Sequence, residues 1–343
     1  MKNTANNFYF LSCILDPDER EPKIEKKIDA ILNPGLLKWS DPSEELKKRC
    51  GVDFIEIPVE SWLKPLPDKS DLPLMTVENF VVFIDSNGCL EYAEDVKNAC
   101  LGIDSRIPVF VGVDHSLSGG VVEAISEKND LVYVVLDAHF DCILPEIRCG
   151  LLQYDAETNP ESKYSINNPF IYNRPNSYNA DSYMYYLWDW NIVERENTVV
   201  AGVVDYPSEN AWKIEDDRVQ KYLGFYISQE EKGVKIIRAE RIRSNPRKII
   251  DSALKECSGD SIYLSIDLDV GANMCCSGVR FSEHNGVSCQ TIIEVVKHII
   301  KKYKLVGVDL CEFDPYSSKE KKNSIEIAQL ILEIIVSAFN RNN

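Results

Sequence analysis

Basic residues are in short supply. The chain of 343 residues carries 38 Lys and Arg against 55 Asp and Glu, a formal net charge of −17 at pH 7. A protein that tracks a phosphate backbone needs basic stripes, so the deficit argues against a nucleic-acid binder. It argues equally against attachment to an anionic membrane surface. Long apolar runs are missing too, and no stretch approaches the length that spans a bilayer. The stretch from Met1 to Asp16 has neither a basic start nor a small-residue cleavage site, so it does not read as a secretory signal. The eleven cysteines include no CxxC pair, and the adjacent Cys275 and Cys276 are awkward disulfide partners. Free thiols in a reducing cytoplasm are the expectation. With no internal repeat and no Gly- or Ser-rich linker, a single domain over residues 1–343 is expected.

Hydrophobic residues nonetheless make up 44% of the chain, enough for a sizeable core. Apolar runs of strand length recur at residues 8–15, 54–59, 80–84, 108–113, 131–137, 198–204, 234–238, 262–267 and 305–309. Several are nearly continuous in Val, Ile, Leu and Tyr, as expected of strands covered on both faces. Amphipathic stretches at 93–101, 119–127, 181–190, 248–257, 290–303 and 324–339 read as helices. The alternation predicts a largely parallel α/β sheet with helices on both faces. Sites in such sheets gather at the carboxyl ends of strands. Residues 155–179, rich in Asn, Pro, Ser and Tyr, read as a long loop of the kind that often carries function.

Four strand ends carry the reactive side chains. The run 131–136 leads straight into Asp137, Ala138, His139, Phe140 and Asp141. Residues two apart on extended chain point to one side, so Asp137, His139 and Asp141 converge. The run 262–266 ends likewise in Asp267 and Asp269, the run 108–113 in Asp114 and His115, and Asp309 is followed by Glu312. Four clustered carboxylates (Asp137, Asp141, Asp267, Asp269) repel one another unless cations neutralise them. Two divalent ions balance that charge, with His115 and His139 completing the ligand shells. The set offers oxygen and imidazole nitrogen but no thiolate, which favours Mn²⁺ over a structural zinc. Ions paired roughly 3.5–4 Å apart commonly share a water and make it a hydroxide near neutral pH. A lone Asp at a strand end is usually a turn former and a lone His is usually packed. The whole set together makes that bland reading improbable.

At these residues the sequence resembles the ureohydrolase superfamily, which includes arginase, agmatinase and formiminoglutamase. Its Gly-Gly-Asp-His-Ser motif is matched by Gly112-Val113-Asp114-His115-Ser116, with one Gly replaced. Its Asp-Ala-His-x-Asp motif stands intact at 137–141, and its Ser-x-Asp-x-Asp motif at 265–269. The late Gly-x-Asp-x-x-Glu-x-x-Pro motif runs from Gly307 through Asp309 and Glu312 to Pro315. The resemblance spans roughly residues 80–340. It implies a three-layer α/β/α sandwich with a mainly parallel sheet of about eight strands. It also implies two Mn²⁺ per chain: one held by His115, Asp137, Asp141 and Asp267, the other by Asp137, His139, Asp267 and Asp269. Asp141 is then expected to orient the bridging hydroxide and help move its proton. Glu312 is expected to pair with a substrate's guanidinium or amidinium. The implied activity is hydrolysis of a non-peptide C–N bond in a small guanidino or formimino compound, by a homo-oligomer. The zinc deacetylases of similar fold want a paired His-His dyad, which is absent here.

The sequence also departs from that pattern. Relatives carry a His in the loop after Asp-Ala-His-x-Asp, placed to protonate the leaving amine. The four histidines here are His115, His139, His284 and His298, and none lies between Asp141 and Val204. The stretch 177–184 is similar to the arginase Ser-Gly-Asn-x-His-Gly pattern, which puts Asn179 at a substrate contact and Asp181 at the His position. Asp181 then reads either as an acid raised by burial or as a helix N-cap. Loss of a general acid costs about 10²–10⁴ in rate and does not by itself abolish turnover. Relatives usually follow Asp269 with Asp-Pro, where this chain reads Val270-Gly271-Ala272-Asn273. Glu283-His284-Asn285-Gly286 replaces a Pro-Gly-Gly turn, so His284 is either an exposed turn residue or a substitute proton shuttle. His298 reads as structural. The aromatic set Tyr164, Phe170, Tyr172, Tyr178, Tyr183, Tyr185 and Tyr186 either lines a pocket or packs beneath the loop. The alternative to an enzyme is a non-catalytic relative that keeps its metal.

Overall fold

Among the described residues eight strands form one sheet in the order β2-β1-β3-β8-β7-β4-β5-β6, and every neighbouring pair is parallel. They are β1 (Phe8–Cys13), β2 (Phe54–Glu56), β3 (Ile107–Gly112), β4 (Leu131–Leu136), β5 (Thr198–Val203), β6 (Lys235–Arg238), β7 (Ser261–Asp267) and β8 (Leu305–Cys311). This computed structural model describes residues 8–34, 43, 54–103, 106–271, 278–281, 284–314, 328 and 330–335. The pair Cys275-Cys276, along with Ala272, Asn273, Glu283, Pro315 and most of the expected helix at 324–339, lies outside them. Residues 328 and 330–335 of that stretch are helical.

The near-continuous apolar strands bury both faces, and alternate residues feed two cores. Phe10, Val109, Val134, Leu264 and Val308 meet the helices Ala239–Ser244, Pro246–Leu254 and Cys289–Lys302. Leu11, Phe110, Tyr133, Val135 and Tyr263 meet Glu21–Leu32, Val77–Asp85, Gly88–Leu101, Ser118–Ser126, Tyr183–Asp189 and Asp217–Glu231. This is the expected three-layer α/β/α sandwich.

One expected strand is a helix. Residues 80–84 lie inside Val77–Asp85, where the Thr76 hydroxyl accepts from the Asn79 N–H at 3.3 Å. Phe80, Val81 and Ile84 are buried while Val82 is 59% exposed, a one-sided helical face. A five-residue apolar run cannot separate the two periods; the cap before it does. The loop expected from 155 also begins late, because Pro145–Thr158 is helical.

Among the described residues seven cysteines are free thiols: Cys13, Cys89, Cys100, Cys142, Cys149, Cys257 and Cys311. Cys289 departs from the free-thiol expectation and is disulfide-bonded. Among the described residues no helix is long and apolar enough to cross a membrane.

Candidate metal centre

Strands β3, β8, β7 and β4 are consecutive neighbours at the middle of the sheet, so their carboxyl ends open onto one place. The β4–β7 register pairs Leu136 with Ile266, which sets Asp137 beside Asp267 one step on. Both strand ends close in the same local turn. Asp137 Oδ1 accepts from the His139 N–H at 2.7 Å, and Asp267 Oδ1 accepts from the Asp269 N–H at 2.7 Å. Each turn fixes residues i and i+2 on one side and leaves the other carboxylate oxygen facing the centre. Gly202 on β5 lets the chain approach: its φ is +114°, and a Cβ there would sit 2.9 Å from the Asp137 carbonyl oxygen.

His115, Asp137, Asp141 and Asp267 bring one donor atom each within 4.8 Å of the others, and Asp137, His139 and Asp269 do the same. Asp137 belongs to both groups. Asp267 falls only in the first. His115 Nδ1 stands 3.0 Å from Asp141 Oδ2, 3.1 Å from Asp267 Oδ2 and 3.4 Å from Asp137 Oδ2. His139 Nδ1 stands 2.9 Å from Asp269 Oδ2.

The far side of the His115 ring sets its tautomer. The Ser265 hydroxyl donates to Asp309 Oδ1 at 2.7 Å, so at 2.9 Å from His115 Nε2 it can only accept. Tyr183 OH lies 3.0 Å from the same nitrogen. Nε2 thus carries the proton, and in the neutral ring Nδ1 presents a lone pair to three carboxylate oxygens. Lone pair and carboxylates repel unless a cation or a second proton lies between them. Asp137 Oδ2, buried and without a hydrogen-bond partner, is a further sign of a cation site. The donor set therefore fits hard divalent ions, and fastening the ring from behind is how metal-binding histidines are oriented.

The charge balance agrees. Burial, then the Asp269 charge, pushes Asp137 up to about 6. Burial, then the Asp137 charge, pushes Asp141 up to about 7, and Asp267 is raised well above the ordinary range for like reasons. Burial works against a charged His115, yet the carboxylates of Asp137, Asp141 and Asp267 facing its ring prevail and raise it. Protons here take the place that cations would fill.

Glu312 closes the β8 end. It is a non-glycine residue at φ +62°, a conformation that costs about 1–2 kcal/mol and turns its carboxylate inward. Oε1 accepts from the His115 N–H at 3.0 Å and from Arg280 at 3.3 Å. Burial pushes Glu312 up to about 8 against the pull of Arg280. At the rim, the Phe281 ring lies edge-on to His139 at 5.6 Å, and the Arg20 guanidinium sits 4.1 Å over Phe281.

The remaining expected site residues lie around this centre. The 177–184 segment does reach it, since the Met184 N–H donates to the Asp141 carbonyl at 3.2 Å. Asn179 spends its side chain within the segment, on Ser177 and the Asp181 N–H. Asp181 is neither buried nor a cap: its carboxylate is 45% exposed and pairs with Arg148 at 3.0 Å. His284 is exposed, and His298 bonds Asp251 at 2.7 Å. Of the aromatics, Tyr178 and Tyr183 are buried packing residues, and Tyr183 also touches His115. Sequence reasoning missed Ser265 and Asp309 as supports, though both stand within its motifs and face each other in the β7–β8 register. It also missed Asp205, which accepts from the Phe140 N–H at 3.3 Å and is pushed by burial to about 6. Arg280 had no local signal.

The Arginase family model matches residues 59–337. The chain is 23% identical over 317 residues to an arginase of Staphylococcus aureus (strain MSSA476), covering 84% of this chain and 93% of that one. Among solved structures, it overlays arginase from Bacillus cereus with a TM-score of 0.58 at 14% identity, over 96% of this chain and 98% of that one. Formimidoylglutamase from Bacillus subtilis gives 0.57 at 13% identity, over 96% and 87%. Fold, metal-ligand geometry and family match converge: the chain belongs to the arginase family.

Proposed function

We propose that this chain is a hydrolase that uses two manganese ions to cleave a non-peptide C–N bond in a guanidino or formimino compound. The observation that carries the reading is the pair of donor groups, buried but for the partly exposed His139, that share Asp137. His115, Asp137, Asp141 and Asp267 would hold one ion; Asp137, His139 and Asp269 would hold the other, with Asp267 at its edge. When bound, such a pair supplies a hydroxide-like nucleophile near neutral pH and stabilises negative charge. The protein's own part is positional. Ser265 and Tyr183 hold the His115 ring, and the two Asp-to-N–H turns hold the carboxylates. Asp141 Oδ2, aimed at the centre, is the group to orient the attacking water and take its proton. The Glu312 carboxylate is the wall against which a substrate's nitrogen rests.

Departure of the amine requires a proton, and here the site is thin. Asp181, in the place of the family's loop His, lies at the surface paired with Arg148. That observation favours a second reading, a relative that keeps metal without turning over. Mass-spectrometric assay of the manganese-loaded protein separates the two. The panel is arginine, agmatine, guanidinobutyrate and formiminoglutamate. Loss of one compound with its matching amine appearing supports the hydrolase. A full complement of metal with no product from any of them supports the non-catalytic reading.

A further inference from the structure

Glu312 already has a guanidinium. Arg280, with its side chain only 6% exposed, donates from Nη1 to Asp114 Oδ2 at 2.9 Å and to Glu312 Oε1 at 3.3 Å. Its Nη2 donates to Asp16 Oδ1 at 3.2 Å. Asp16 is itself buried beside Lys27 at 3.4 Å, so the guanidinium is wedged into a closed ionic cluster. An sp² carboxylate oxygen has two acceptor sites. On Glu312 Oε1 both are used, one by the His115 N–H and one by Arg280. Among the described residues no hydrogen bond falls on Oε2.

A forked guanidinium–carboxylate pair needs both oxygens. Here one oxygen and the charge partner are taken. A substrate guanidinium brings five N–H donors to a wall with a single acceptor oxygen, beside another cation. Donors buried without partners cost affinity, so each surplus N–H counts against it. A formimino end has one nitrogen fewer and fewer donors to strand.

We propose that Arg280 is the specificity-determining residue of this site, shutting a guanidinium out of Glu312 and narrowing the substrate class to compounds with a formimino end. The inference rests on the hydrolase reading of the metal centre. Its test is a binding measurement that needs no turnover.

Isothermal titration of the manganese-loaded full chain with butylguanidine and N-butylformamidine compares the two ends on one tail. The wild type is expected to bind the formamidine about tenfold tighter or more. Arg280→Met, which frees one acceptor site on Oε1 and removes the competing charge, is expected to gain about tenfold for the guanidine, and butylguanidine is expected to raise the variant's melting temperature but not the wild type's. Arg280→Lys keeps the charge without the fork and gives the same direction of change should the Met variant not fold. Equal affinity of wild type and variants for butylguanidine overturns the proposal. Efficient wild-type turnover of a guanidino substrate overturns it too while leaving the hydrolase intact. Binding as expected without turnover of anything in the panel sinks the hydrolase and leaves Arg280 in its role.

Discussion

Replacing Asp137 with Asn is expected to change the protein's stability in opposite directions with and without metal. Asp137 is fully buried, shared by both donor groups, and orphaned at Oδ2. Its carboxyl is raised from 3.8 to about 6 by burial and by Asp269. A tenfold change in proton affinity corresponds to about 1.4 kcal/mol, so the ionised side chain weakens the metal-free fold by about 3 kcal/mol. Asn keeps the Oδ1 acceptor for the His139 N–H, at 2.7 Å in the parent, and removes the buried charge. The metal-free variant should therefore be more stable than the metal-free parent at about pH 8. A carboxyl with a raised folded-state pKa takes up protons on folding, so the parent loses stability as pH climbs from about 4 to about 6 and stays low above that. The variant's advantage is full above about pH 6 and fades below it. Manganese reverses the order: an ion at a hundred times its dissociation constant stabilises the parent by about 2.7 kcal/mol per site, and the variant forfeits most of that. Urea unfolding of both proteins, with chelator and with manganese, across that pH range measures every one of these contributions. A metal-free variant less stable than the metal-free parent at about pH 8 would refute the reasoning, as would a variant that gains as much from manganese as the parent does.

Ser265→Ala removes the acceptor behind His115 Nε2, and manganese affinity is expected to fall about 10–100-fold by chelator competition. Unchanged affinity would show that Tyr183 alone orients the ring. Gly202→Ala drives a Cβ into Val270 Cγ2 at a φ of +114°, and is expected to destabilise the fold by about 2 kcal/mol or more in urea, with weaker metal retention. Full stability in that variant would mean β5 can shift away from Asp137. His284→Asn is expected to leave metal content, melting temperature and any turnover unchanged, since the side chain is exposed; a selective loss of turnover would revive it as a proton shuttle.

The parts that were legible in the sequence were those written in local periodicity. Asp137 and His139, like Asp267 and Asp269, could be placed together because extended chain alternates sides and their strands were unambiguous. Residues 80–84 defeated the same logic, since five apolar residues fit either period and the Thr76 cap that decides between them lies outside the run. Ser265 and Asp309 stood in plain view, but their pairing is a matter of register between β7 and β8, which one sequence does not state. Arg280 was out of reach for a stronger reason. Its partners Asp16, Asp114 and Glu312 come from three distant parts of the chain, and nothing near Arg280 marks it as buried. Asp181 shows the limit of positional matching: it stands where an aligned motif wants a proton donor, yet solvent and Arg148 hold it at the surface.

The place of β8 in the sheet also sets the order in which the protein can be assembled. The last of the eight strands in sequence is inserted between β3 and β7 rather than added at an edge. Until residues 305–311 leave the ribosome, His115 on one side has no fixed distance to Asp267 on the other. A nascent chain thus holds His115 apart from Asp137, Asp141 and Asp267 until the end of the sheet's synthesis. Closure waits on a single long-range insertion, the kind of step that makes folding slow and exposes unpaired strand edges to other chains. His115 can join the shared centre only after that insertion, so the donor group it belongs to is completed at the end of folding rather than at its beginning.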